Sequence, residues 1–179
     1  MADLSGKRVA ILVDNYFEES EFTGPINDLR KAGAEVEIIS PEVGKIQAMN
    51  HAELSDTYTS DRAIDDVRID EYDALVLPGG TINADALRIN NKAQIWVKKF
   101  MDLGKPVAAI CHSPWSLASA GVAKGRKLTS FESIQDDMRN AGAEWVDEEV
   151  VVDNNLITSR KPDDVRAFSN ALITMLQAA

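Results

Sequence analysis

A chain of 179 residues is long enough for one domain in which helices cover both faces of a sheet, and we expect a single domain over residues 1–179. The formal net charge of −10 argues against a nucleic-acid partner, and a single cysteine excludes both an intrachain disulfide framework and a cysteine-cluster zinc site. Residues 1–7 contain no apolar signal region and no apolar stretch could span a bilayer, so we expect a cytoplasmic protein without a membrane partner.

The beginning of the chain predicts a β-α-β unit, which is the building block of parallel sheets. An apolar run at residues 8–14 is typical of a buried strand. Residues 17–32 have apolar side chains at helical spacing and end at a glycine, whereas residues 34–40 alternate between apolar and polar as a second strand.

The middle of the chain continues this alternation. Residues 41–70 are polar and irregular, which indicates a small hairpin with loops, and we expect His51 to be a solvent-exposed loop residue without a role. Residues 72–77 predict a buried strand that ends at Pro78-Gly79-Gly80, where two glycines allow either a close backbone approach to a ligand or an ordinary turn. Residues 91–103 predict an amphipathic helix. Its inward face is expected to hold Ala93, Trp96, Val97, Phe100 and Leu103.

The last third of the sequence predicts further strands and helices. A short strand is expected at residues 127–130 and a helix at residues 133–141. Residues 145–152 and 156–160 resemble a pair of strands across a turn, and Pro162 is expected to begin a final helix. The whole pattern predicts an α/β fold with a mostly parallel sheet.

Residues 105–121 contain the strongest functional signal. A strand at residues 107–110 breaks sharply into a helix that begins near Trp115, and Cys111 lies in the turn with His112 beside it. Small residues flank the cysteine as in a nucleophile elbow, and a helix after Cys111 would direct its positive end at the sulfur and favour a thiolate. The alternative is an inert buried cysteine, which is the usual state of an unpaired one.

Four segments are distinctive when taken together: FEESE at residues 17–21, DALVLPGG at 73–80, KPVAAICHSP at 105–114, and the long stretch at 136–160. They resemble the PfpI family, which carries the name intracellular protease I. That family belongs to the superfamily of the Parkinsonism-associated deglycase and the class I glutamine amidotransferases. The resemblance covers nearly the whole chain. It implies a flavodoxin-like three-layer α/β/α sandwich with a nucleophile elbow and no metal or organic cofactor.

The resemblance also implies roles for five residues. Cys111 matches the family nucleophile, and His112 matches the histidine that takes up its proton. The backbone N–H groups of His112 and Gly80 would form an oxyanion hole. Glu21 would lie beside Cys111 and be driven toward protonation by like-charge repulsion, although a surface charge at a helix N-terminus is the alternative. Asp85 is the best match to an acid that reaches the histidine from a neighbouring subunit, despite a loop one residue longer and Asp in place of Glu, so we expect at least a homodimer.

The implied function is that of a stress-protective, cysteine-dependent hydrolase of reactive carbonyls. Small 2-oxoaldehydes, or their adducts on protein amines and thiols, are the implied substrates, and peptide hydrolysis ranks lower. The alternatives are a redox-responsive stress protein or holdase chaperone that uses an oxidisable Cys111, and a binding domain with an inert cysteine. Ser113 stands where relatives commonly have glycine, and it would be strained if that position required a positive φ.

Overall fold

The computed structural model describes residues 2–179, and it places short strands and helices around one central sheet. The strands are β1 Arg8–Leu12, β2 Phe17–Glu18, β3 Glu35–Ser40, β4 Lys45–Asn50, β5 Glu53–Thr59, β6 Arg62–Ala63, β7 Ala74–Leu77, β8 Val107–Ile110, β9 Lys127–Leu128, β10 Glu144–Trp145, β11 Val151–Asp153 and β12 Leu156–Ser159. The α-helices are α1 Glu19–Lys31, α2 Thr81–Arg88, α3 Asn91–Asp102, α4 Trp115–Ser119, α5 Gln135–Asn140 and α6 Val165–Ala178.

Seven strands form the central sheet in the order β11-β12-β8-β7-β1-β3-β6. Neighbouring strands are parallel except for β11, which runs antiparallel to β12. From β1 the chain extends to β3 on one side and later crosses to β7 on the other. The carboxyl ends of β1 and β7 therefore lie at a point where the connections diverge, which is where open α/β sheets bind ligands. Strand β8 lies next to β7 and ends at the same edge.

The two faces of the sheet have separate apolar cores, as the alternation of side chains along a strand requires. In β1, Val9 and Ile11 pack with α1 and α6, whereas Ala10 and Leu12 pack with α3 on the opposite face. Trp96 of α3 is buried in this second core, as predicted. A fully buried valine, leucine or isoleucine side chain contributes about 1.5–3 kcal/mol to the stability of the fold. The buried central strands therefore give the site at their ends a stable support.

A hairpin of β4 and β5 lies beside the carboxyl edge of the sheet, where β2 pairs with β4 and joins the hairpin to the start of α1. The hydroxyl of Tyr58 on β5 donates a 2.7 Å hydrogen bond to Glu19, and Ser55 donates to the same carboxylate. Burial is the main cause that raises the pKa of Tyr58 to about 12, and the hydrogen bond to Glu19 is the next largest. These contacts hold the hairpin tip, which carries His51, at the sheet edge.

Most of the predicted strands and helices are confirmed, with two corrections. Leu103 was expected on the inward face of its helix, but α3 ends at Asp102, and Leu103 as its C-cap is 58% exposed. The strand expected at residues 145–152 is two strands, because β10 pairs with β9 and β11 pairs with β12. The acidic run at residues 147–149 between them is exposed, and acidic residues are poor strand formers.

Helix α2 was not predicted, and it begins directly after the glycine pair. Within residues 2–179, no helix is both long enough and apolar enough to cross a membrane.

Candidate active site

The turn after β8 holds Cys111 in an unusual backbone conformation. Its φ is 67°, a left-handed value that is rare for a residue with a side chain. Two backbone hydrogen bonds hold it there: the Cys111 N–H donates to the carbonyl of Ser159 at 3.0 Å, and the Phe131 N–H donates to the carbonyl of Cys111 at 2.7 Å. Strain of about 1–3 kcal/mol persists only where the surroundings impose it, so the turn has the geometry of the predicted elbow.

His112 lies directly beside the sulfur, with 3.2 Å between Cys111 Sγ and His112 Nδ1. Its ring stacks on Phe131 at a centroid distance of 4.7 Å and meets the edge of Trp115 at 5.3 Å. Burial lowers the pKa of His112 below its ordinary value of 6.5. The imidazole is therefore neutral near pH 7 and able to accept a proton at Nδ1.

The other ring nitrogen of His112 faces hydroxyl groups. Nε2 lies 3.3 Å from the Ser133 hydroxyl and 3.5 Å from the Thr81 hydroxyl. Asp85, the predicted acid, lies exposed on α2, and its carboxylate makes no hydrogen bond or ion pair with any other of the residues 2–179. Within one chain, the histidine is thus oriented by aromatic packing and hydroxyls rather than by a carboxylate.

Glu21 projects from α1 into the interior behind the cysteine and is completely buried. Both carboxyl oxygens lack a hydrogen-bond partner of regular geometry among the described residues. Burial, reinforced by the charge of Glu18, raises the pKa of Glu21 to about 8. The carboxyl group is therefore neutral near pH 7, in contact with the Cys111 side chain and the Gly79 backbone, and a neutral carboxyl group has a proton that it can donate.

Burial is the main cause that raises the pKa of the Cys111 thiol, and ionisation of Glu21 at high pH would raise it further. The hydrogen bonds from the backbone N–H groups of Gly80 and His112 act in the opposite direction, because they favour the thiolate. The thiolate that the sequence predicts is therefore opposed by burial and favoured by these two amides. The two amides expected in the oxyanion hole are nevertheless the ones that point at the sulfur.

The glycine pair after β7 fits tightly between the segments that form the site. A Cβ on Gly79 would clash with the Glu21 carboxyl and lie 2.5 Å from the Cys111 Cβ. Gly80 has a φ of 93°, and a Cβ there would lie 2.7 Å from two backbone atoms of residues 16–18. The glycines are therefore required by close packing against neighbouring segments of the chain, and their approach to a ligand stays a prediction.

These groups line one cavity of about 540 Å³ at the carboxyl edge of the sheet. The structure brings Cys111, His112, Glu21 and Gly80 together there and leaves Asp85 outside. The sequence reasoning missed several residues of the cavity, which come from the hairpin and from the segment before α1: Tyr16, Glu18, Met49 and His51. The expectation that His51 is exposed is confirmed, but its exposed ring borders the cavity.

Ser113 is not strained, because Cys111 rather than Ser113 has the positive φ in this turn. The Ser113 hydroxyl accepts from the Ile110 N–H at 2.8 Å and donates to the Leu77 carbonyl at 2.7 Å. It thereby links the ends of β7 and β8 directly beneath the elbow. Among residues 2–179, no group of three or more His, Cys, Asp or Glu side chains is arranged to hold a metal ion.

Comparison with known proteins identifies the family of the chain. A family model described as the DJ-1/PfpI family matches residues 7–175. The chain belongs to the DJ-1/PfpI family. It is 47% identical over 173 residues to Protein/nucleic acid deglycase 2 of Escherichia coli (strain K12), which covers 96% of this chain and 99% of that relative. It is 44% identical over 170 residues to Deglycase PfpI of Pyrococcus furiosus, with 95% of this chain and 99% of the relative covered.

A solved structure of a two-domain protein from Anabaena variabilis contains a similar DJ-1/ThiJ/PfpI-like domain beside a ferritin-like one. It superposes with a TM-score of 0.90 and 37% identity over 95% of this chain and 48% of that chain. The PfpI resemblance and the flavodoxin-like α/β/α sandwich predicted from the sequence are both confirmed.

Proposed function

We propose that this DJ-1/PfpI protein is a cysteine-dependent hydrolase of reactive carbonyls, of the deglycase or glyoxalase type, with Cys111 as its nucleophile. One observation carries the proposal. The Cys111 sulfur lies in an open cavity, 3.2 Å from a neutral histidine nitrogen and at the N–H groups of Gly80 and His112. The full-length relatives named as deglycases support the choice of substrate class.

The chemistry begins with transfer of the thiol proton to His112 Nδ1 as the sulfur attacks the aldehyde carbon of a 2-oxoaldehyde. The carbonyl oxygen becomes negatively charged, is stabilised by the N–H groups of Gly80 and His112, and then takes the proton back to give a hemithioacetal. With an amine adduct, the same attack breaks the carbon–nitrogen bond, and the amine leaves with the proton.

The hemithioacetal then rearranges without an external oxidant. A proton moves from the first carbon to the second through an enediol, so that one carbon is oxidised and its neighbour reduced, which yields a thioester. Water hydrolyses the thioester to a 2-hydroxy acid and restores the Cys111 thiol. Neutral Glu21 donates a hydrogen bond to the sulfur while the thiolate forms, and thereby offsets the burial that raises the thiol pKa.

Asp85 of a neighbouring subunit completes the site in this proposal. The support is local: His112 Nε2 has only hydroxyl partners within its own chain, and Asp85 is exposed on the helix that begins at the cavity. A carboxylate at Nε2 would hold the imidazolium that forms during proton transfer. The active species would then be a homodimer or a larger homo-oligomer.

The test is lactate or glycolate production from methylglyoxal or glyoxal, together with release of free amine from a methylglyoxal-treated amine. Cys111→Ser should abolish both activities, and Asp85→Asn should lower kcat by about 10-fold or more. Asp163→Asn removes an equal charge from an exposed residue outside the cavity and should leave kcat unchanged. Full activity in Cys111→Ser would refute the proposal. An unchanged kcat in Asp85→Asn would refute only the part of the proposal in which Asp85 of a neighbouring subunit completes the site.

A second candidate function, a redox-responsive stress protein or holdase chaperone, is favoured by one observation. Neutral Glu21 beside Cys111 can donate a hydrogen bond to an oxidised sulfur and stabilise it. Suppression of client aggregation that persists in Cys111→Ser, without carbonyl turnover in the wild type, would favour this function. Peptide hydrolysis ranks lower, because a peptidase also needs a groove for an extended chain.

A further inference from the structure

The cavity around Cys111 is lined by acidic side chains but, among the described residues, by no lysine or arginine. Two carboxyl groups, Glu18 and Glu21, and two imidazoles, His51 and His112, border it. An anionic substrate would therefore meet no fixed positive charge, whereas a cationic one would meet at least one carboxylate.

Glu18 is that carboxylate. It is the residue just before α1 and is buried, with only 11% of its side chain exposed. Its oxygens accept from a single backbone donor, the His51 N–H, at 3.1 and 3.2 Å. The His51 ring lies 3.6 Å away and is 78% exposed, so it is a weak and screened partner. A carboxylate can accept about four hydrogen bonds, which leaves capacity on the cavity side.

Glu18 lines the same cavity as Cys111, and its backbone N–H donates to the Gly79 carbonyl at 3.2 Å, directly beside Gly80. Its negative charge acts on both Glu21 and Cys111, the two groups behind and at the end of the cavity. Glu21 is neutral near pH 7 and fully buried without a regular hydrogen-bond partner, so it adds a second polar group that is directed into the same space. A ligand group between Glu18 and the sulfur would thus meet one negative charge and one neutral acid.

We propose that Glu18 forms a subsite for an organic cation, a protonated amine or a guanidinium, beside the carbon that Cys111 attacks. The preferred substrates are then carbonyl adducts that carry such a cation next to the reactive carbon. The effect of this subsite on catalysis rests on the carbonyl chemistry proposed for Cys111, whereas the binding of a cation by Glu18 does not.

The electrostatics support this assignment. A cation paired with Glu18 offsets one of the charges that disfavour the Cys111 thiolate, so that a cationic substrate promotes formation of the nucleophile. Carboxylate- or phosphate-bearing adducts have the opposite effect and bind poorly. Glu18 is thus a specificity-determining residue and not only part of the wall.

The test uses the fact that Cys111 is the only cysteine, so that thiol labelling reports on this site alone. Three methanethiosulfonate reagents react by the same displacement, in which the sulfur forms a disulfide and methanesulfinate leaves. One bears a trimethylammonium group, one a sulfonate, and one a neutral methyl group. The cation-to-anion rate ratio, divided by the ratio for the urea-unfolded protein, measures the charge preference of the cavity.

We expect this normalised ratio to be about 10 or more at low ionic strength and to fall as salt is added. Glu18→Gln should reduce it at least threefold, while Glu149→Gln, which removes an equal charge from an exposed residue elsewhere, should retain it. A ratio near 1 in the wild type, or a ratio unchanged in Glu18→Gln, would overturn the proposal. The neutral reagent shows whether Glu18→Gln has altered access to Cys111.

A second variant keeps the test decisive if Glu18→Gln folds poorly. His51→Lys places a cation beside the intact Glu18 carboxylate at an exposed position, and it should likewise reduce the ratio at least threefold; an unchanged ratio would overturn the proposal. Labelling needs no turnover, so the two proposals fail separately. Turnover of methylglyoxal with no charge preference would refute the cation subsite alone. A Glu18-dependent preference without any turnover would refute the carbonyl hydrolase alone.

Discussion

Replacement of Glu21 by Gln should change how the stability of this protein depends on pH. The carboxyl group has a pKa of about 8 in the folded chain, against an ordinary value of 4.5. Between these values the folded state holds a proton that the unfolded state has released. The wild type should therefore lose stability as pH rises from about 5 to 8, because ionisation of this buried group opposes folding.

The magnitude follows from the shift. Each pH unit in this window costs the wild type about 1.4 kcal/mol, so an upper limit of about 4 kcal/mol is lost between pH 5 and pH 8. Buried groups relax when they ionise, and the Cys111 thiol shares the same environment, so we expect at least about 2 kcal/mol. Glu21→Gln is close in shape to the neutral acid and cannot ionise, so it lacks this loss.

Urea unfolding at pH 5, 6, 7 and 8 measures the effect as the difference in unfolding free energy between Glu21→Gln and the wild type. Other titrating groups contribute equally to both proteins and cancel. The difference should shift in favour of the variant as pH rises, whereas the exposed Glu149→Gln control should show no such trend. Parallel curves for Glu21→Gln and the wild type would show that Glu21 is not held neutral by the fold.

Two further substitutions test the geometry of the elbow. Ser113→Gly removes the hydroxyl that links Ile110 to Leu77 and should lower the unfolding free energy by about 1–3 kcal/mol; an unchanged urea midpoint would contradict this role. Gly80→Ala should lower kcat by about 10-fold or more, because its Cβ would displace the amide of the proposed oxyanion hole. Gly125→Ala is the control, since Gly125 also has a positive φ but open space around it; an equal loss of kcat there would contradict the argument.

The parts of the fold that the sequence predicts well are those with a strong local pattern. Strand β1 and strand β8 are continuous apolar runs, and α3 has its apolar residues at helical spacing. Helix α2 was missed because it has only eight residues and no side-chain cap, and because it follows a glycine pair that indicates a turn. The buried positions Asn83, Ala84 and Leu87, spaced by one helical turn, are the signal that could have found it.

The residues of the candidate site likewise differ in how well the sequence predicts them. Cys111 and His112 could be placed from local pattern, since the break of a buried strand at the only cysteine is visible in the sequence. Ser133 and Phe131, which contact the His112 ring, come from the segment between β9 and α5, which only the tertiary fold brings near. The same holds for His51, whose hairpin is attached to the site by pairing of β2 with β4.

The raised pKa of Cys111 weighs on the choice between the two functions. A cysteine that senses oxidants needs a thiolate in the resting protein, because the thiolate is the form that oxidants attack. Burial and the charge of Glu18 work against that form here. An enzyme needs the thiolate only when an electrophile is bound, and a neutral His112 at 3.2 Å can then take the proton. A cation at Glu18 would favour the thiolate at that same moment. In the proposed mechanism, the electrostatics of the cavity thus fit carbonyl turnover better than constant redox sensing, and the reactivity of Cys111 depends on what occupies the site.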